Sequence, residues 1–222
     1  MAETRRHFRG RVEAALANPR QQEALRSGLP NLRHKRDQAF QEFDFDAGRA
    51  DLKERRRANL DQLPELVSQF QSRLEAAGGQ FHLARDATQA NAIIGEICRQ
   101  AAAAAGLTPG GDADGRRPIV TKSKSMATEE IELNQHLAEI GMEVCETDLG
   151  EYIIQRLGER QSHLVGPAMH LSIDDWAESM HTQADPQAIM AKARAELRDK
   201  FINATVGISG ANAAIAETGT VM

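Results

Sequence analysis

PIVTKSKSMATEEIELNQHLAEIGMEVCETDLGEYIIQRL, residues Pro118 to Leu157, is the stretch whose reading decides the fold. Pro118 to Lys122 is a short apolar run and reads as a strand, and Glu129 to Ile140 repeats apolar residues at helical spacing. Met142 to Glu146 reads as a second strand and Gly150 to Leu157 as a second helix. Short apolar strands alternating with amphipathic helices predict βαβ units, so the expected class is α/β, an open and mostly parallel sheet flanked by helices. Ligands of such sheets bind beyond the carboxyl ends of the strands. The loops at 121–128, 146–151, 167–172 and 207–220 are therefore where chemistry is expected.

Outward from this stretch the pattern continues. Ser162 to Gly166 reads as a strand, Asp174 to His181 and Pro186 to Ile202 as helices, and Ala213 to Thr220 as a last strand of the sheet that continues beyond Met222. Upstream, Thr88 to Ala105 is an alanine-rich helix, Gln80 to Leu83 a short strand, and Gly106 to Arg117 a surface loop to which no chemistry is assigned. Residues 4–78 read almost wholly as helix. Breaks are expected near Asn18-Pro19, at Gly28-Leu29-Pro30 and near Phe43 to Asp46, with an interruption at Pro64. The expected organisation is an N-terminal helical arm, 1–78, followed by an α/β domain, 79–222, truncated at its C-terminus.

Composition excludes several classes. The chain has 222 residues, 41% hydrophobic but only 4% aromatic, and a formal charge of -5. It lacks the aromatic platforms that stack bases and the net positive charge that attracts phosphate backbones, so no nucleic-acid partner is expected. Lys53-Glu54-Arg55-Arg56-Arg57 interleaves acid with base and reads as a solvated helix face. No apolar run approaches the ~18 residues of a membrane span, and the charged first residues lack a secretory apolar segment, so a cytoplasmic protein is expected. Two distant cysteines, Cys98 and Cys145, exclude a disulfide framework or a cysteine-rich metal site.

Four polar stretches are candidates for a site. Thr121 to Met126 follows a strand and precedes a helix, so Lys122, Ser123 and Ser125 could gather round an anion; alternatively Ser125 or Thr128 caps the helix. Glu146, Asp148 and Glu151 crowd three carboxylates at a strand end, suited to acid–base work or to an oxygen-ligated metal, or else to a capping box built on Asp148. His163 and His170 flank LVGPAM and read as structural histidines or as converging site residues. In the small-residue run from Gly207 to Thr220, Gly210 permits close backbone approach, while Glu217 and Thr218 offer a carboxylate and a hydroxyl.

Together, Lys122 to Gln155, SHLVGPAMH (Ser162 to His170) and VGISGANAAIAETGT (Val206 to Thr220) resemble the lactate-utilisation (LUD) domain family. Within it they are most similar to the amino-terminal part of its iron-sulfur members, and the resemblance covers about residues 5–222. It implies a fold like the phosphosugar isomerases and CoA transferases, and a role in oxidising L-lactate to pyruvate together with the other subunits of a lactate-oxidation complex. It also implies two [4Fe-4S] clusters in a C-terminal region missing here, and no cofactor in this chain. For the site, the expectation is a small carboxylate or phosphate held by Lys122, Ser123 and the Gly210 region, with Ser125, Glu146, Asp148, Glu151, His163 and Thr218 beside it. Glu217 or His170 would be the acid–base group. The alternatives are a non-catalytic docking scaffold of the same complex, or an isomerase-like or transferase-like enzyme.

Overall fold

A computed structural model describes residues 2–159, 166 and 168–222, with the side chains of 2–7 left out. Four helices open the chain: α1 (Ala2–Ala17), α2 (Pro19–Ala39), α3 (Phe45–Asp61) and α4 (Leu63–Ala76). Next come α5 (Ala87–Ala104), β1 (Ile119–Lys122), α6 (Met126–Glu130), α7 (Leu133–Glu139), β2 (Glu143–Glu146) and α8 (Leu149–Leu157). The chain closes with α9 (Ile173–Met180), α10 (Pro186–Ile202), β3 (Ala204–Ile208), β4 (Ala214–Ile215) and β5 (Thr220–Val221). It divides into two compact units, residues 1–27 with 84–210 and residues 28–83 with 211–222.

The first unit holds a three-stranded parallel sheet in the order β2-β1-β3. Parallel pairing requires crossovers, which α6 with α7 supply between β1 and β2, and α8 to α10 between β2 and β3. This is the expected α/β class. Because strand residues alternate in direction, Val144 packs into one core with Val120, Leu133, Leu137, Cys98 and Met142, while Cys145 packs into another with Ile153, Met180 and Ile189. A core on each face accounts for the burial of these short strands.

Several boundaries differ from expectation for identifiable reasons. The helix expected over 129–140 breaks, because Glu132 adopts a left-handed φ of 53° and the Ile131 carbonyl freed by the break accepts a 2.7 Å hydrogen bond from Asn91 Nδ2. Residues 204–208, of which 207 and 208 were expected in a ligand loop, form β3 and complete the sheet despite Gly207. Conversely, residues 213–220 do not extend that sheet. They belong to the second unit as an antiparallel β4-β5 hairpin whose turn Gly219 closes at φ +72°.

At the arm, helix α2 runs through Gly28 and Pro30, since good helix formers on both sides outweigh one lost hydrogen bond. The break at Asn18 falls where expected. Those at residues 40–44 and at Gln62 lie a few residues before the expected positions at Phe43 to Asp46 and Pro64, with Asp44 capping α3 at the Ala47 amide and Pro64 placed in the first turn of α4. Gln80 to Leu83 forms no strand; Phe81 instead turns a ring edge to Phe70, 6.1 Å away. Of the expected strand Ser162 to Gly166, residues 162–165 lie outside the described residues.

Candidate functional site

The carboxyl ends of β1 and β2 bring Lys122 and Glu146 into register on adjacent strands. Both side chains are out of solvent, at 1% and 0% exposure, and Lys122 Nζ lies 2.8 Å from Glu146 Oε1. Such burial is tolerated only when the charges are paired and further hydrogen-bonded. Thr128 Oγ1 accepts from the ammonium at 3.3 Å, and Asn134 Nδ2 donates to Glu146 Oε1 at 2.6 Å. The left-handed residue at Glu132 starts α7 and sets Asn134 in its first turn, so the broken helix is what delivers the amide.

The backbone around this pair is equally tied. Thr147 donates to the Lys122 carbonyl through both its amide and its hydroxyl, each at 3.0 Å. The outer edge of β2 is closed by Gln155, which accepts from the Glu146 amide and donates to the Val144 carbonyl. On the other side of β1 the Ser123 amide donates to Ile208 O at 2.9 Å, and the Ser123 and Ser209 hydroxyls meet at 3.4 Å. Ser125 is buried and caps α6 by accepting from the Thr128 amide. A Cβ on Gly210 would come within 3.2 Å of the Ser125 side chain, so glycine allows the loop after β3 to lie on the cap.

Beside the pair opens a cleft of about 820 Å³, lined among others by Thr128, Glu129, Glu132, Asn134, Gln155 and Glu159. Among the described residues its wall carries carboxylates and no lysine or arginine. Glu129 has its pKa raised, chiefly by desolvation, with Lys122 opposing and Glu146 reinforcing the shift. A raised carboxyl pKa means the folded state resists ionisation, so that cost is absent below the ordinary glutamate value and appears as pH rises through the folded value. Glu129→Gln is accordingly expected to be more stable than the parent at neutral pH and to lose that advantage on acidification, as read from denaturant midpoints across pH.

The remaining expected residues are more scattered. Asp148 caps α8 at the Glu151 amide, and Glu151 is fully buried in the first turn of that helix, so the capping reading accounts for Asp148. His170 Nε2 lies 2.7 Å from Glu159 Oε2 at the cleft rim, and His163 lies outside the described residues. Glu217 and Thr218 sit in the β4-β5 turn of the second unit, where the Thr218 and Thr220 hydroxyls bond at 2.8 Å. Asn134 matches the family pattern only as a polar position, Thr128 reads in the sequence only as a possible helix cap, and Gln155 has no role there; the structure brings all three to the pair. Their signal was available only as amides and hydroxyls at helix starts and ends, the same signal that capping produces.

No group of three or more histidine, cysteine, aspartate or glutamate residues among the described residues is arranged to hold a metal. Cys98 and Cys145 lie buried in separate cores, with both thiol pKa values raised by burial. A [4Fe-4S] cluster needs four thiolates, so the residues present do not fit one.

The family model described as LUD domain matches residues 67–222. The chain is 34% identical over 229 residues to a Lactate utilization protein B from Lysinibacillus sphaericus, covering 100% of this chain and 45% of that relative. It is 34% identical over 222 residues to the protein of the same name from Shouchella clausii, covering 96% and 44%. With the Bacillus subtilis protein the identity is 33% over 222 residues, covering 96% and 43%. The chain thus spans less than half the length of these relatives. No solved structure matches it.

Proposed function

Because the chain belongs to the LUD domain family, we propose that it serves lactate utilisation as the amino-terminal domain of an iron-sulfur protein that takes part in oxidising L-lactate to pyruvate. Its own contribution is to organise the partner subunits rather than to transfer electrons. The observation that carries this reading is the state of Lys122: its ammonium is buried and already neutralised by Glu146, beneath a cleft walled by carboxylates. An incoming anion would meet like charge first and would then have to displace Glu146. The clusters that the family implies find no ligands in this chain, and no step assigned to it passes through one.

A second reading, binding of a small hydroxy-carboxylate, is favoured by one observation. Asn134 Oδ1 is buried at the cleft without a hydrogen-bond partner among the described residues, and a ligand hydroxyl could donate to it.

The two readings separate with the pair replaced by apolar residues, Lys122→Met with Glu146→Leu, placed in a full-length relative of this family. An organising domain keeps lactate-dependent growth and the assembly of the complex. If assembly is intact while lactate oxidation is lost, the anion-binding reading replaces the organising one.

A further inference from the structure

The helices of the first unit leave an apolar groove uncovered. Leu149, Trp176, Ile189 and Met190 line a hollow of about 310 Å³, and Leu149, Met190, Leu197 and Phe201 a contiguous one of about 400 Å³. Met190 is 51% exposed and Phe201 54%. For scale, an apolar cavity of about 150 Å³ accommodates a benzene ring. Two arginines one turn apart on α10, Arg194 and Arg198, stand exposed at the groove. Neither has an ion-pair partner among the described residues, although Lys192, Glu196 and Lys200 on the same helix are all paired.

The second unit presents the opposite chemistry. Between α2 and α3, Phe40, Phe43 and Phe45 form an aromatic knot, with centroids 5.9 Å apart for Phe40–Phe43 and 4.8 Å for Phe40–Phe45. All three rings are exposed, Phe43 at 55%. The Phe43 ring lies where a Cβ on Gly48 would be, at 2.3 Å, so glycine there allows the ring to fold over α3. Glu42 and Asp46 flank the knot, exposed and without ion-pair partners among the described residues. A cluster of aromatic residues flanked by two carboxylates is suited to enter an apolar groove edged along α10 by two arginines.

We propose that the chain associates with a second copy of itself, the aromatic knot at Phe40, Phe43 and Phe45 of one copy seating in the groove between Leu149 and Phe201 of the other. Glu42 and Asp46 pair with Arg194 and Arg198 across the contact. The inference stands apart from the role of the Lys122 pair and does not depend on it.

Sedimentation of the 222-residue chain over a dilution series tests it. Self-association is expected, and either Arg194→Glu with Arg198→Glu or Glu42→Arg with Asp46→Arg should weaken it by about tenfold or more. Mixing the two double variants places a basic knot against an acidic groove and should restore association between unlike copies. Unchanged far-UV circular dichroism shows that the variants are folded, and Met190→Asp, which carries its charge inside the groove, should lower association independently. A chain that stays monomeric at every concentration overturns the proposal, as does association indifferent to both charge reversals or not restored by mixing.

Discussion

Lys122→Met is expected to destabilise the first unit by about 3–5 kcal/mol, because it strips the ammonium from a carboxylate with no solvent exposure. The loss is one of compensation rather than of packing, since methionine fills nearly the volume of lysine. Adding Glu146→Leu should recover most of the stability, because an apolar pair asks for no desolvation. A double-mutant cycle read by urea denaturation checks this: a double variant as unstable as the single one would show that the pair is not what the site turns on. The same cycle bears on function, since a strongly coupled pair is a costly one for an incoming anion to open.

Gly141→Ala should be nearly as damaging. Gly141 has φ +88°, and a Cβ there would stand 2.3 Å from the backbone nitrogen of Gly110 and 2.8 Å from the carbonyl carbon of Pro109. The conformation costs a non-glycine residue about 1–3 kcal/mol, and the neighbouring loop must also retreat, losing the 2.8 Å bond from the Gly110 amide to the Gly141 carbonyl. A total near 3 kcal/mol is expected, accompanied by faster amide exchange at Gly110. Gly10, whose Cβ would meet nothing, provides the control; Gly10→Ala should be neutral or slightly stabilising.

How much of this was legible in the residues depends on the kind of signal. Val120, Leu133, Leu137 and Ile153 announce themselves by period, and the elements carrying β1, β2 and α8 follow from them. Strand β3 escaped because Gly207 inside ATVGI looks like a turn residue, whereas its backbone is held by pairing with Thr121 of β1, a distant partner that no local pattern reveals. The break at Glu132 escaped for a similar reason: the residue that stabilises it, Asn91, belongs to α5. Lys122 was identified as a site residue, but its burial against Glu146 follows from strand register, which residue types alone do not specify.

The order β2-β1-β3 also sets a timetable. Thr147 closes on Lys122 across only 25 positions, so the first parallel pair can assemble while the chain is still short. Strand β3 follows only after α9 and α10, and until it docks, one edge of β1 and the Ser123 amide stay open. Long loop closure makes that docking the slow event of folding. During the wait the bare edge is a template for strands of other chains, so the interval before β3 arrives is when the nascent protein is most prone to aggregate and most in need of a chaperone.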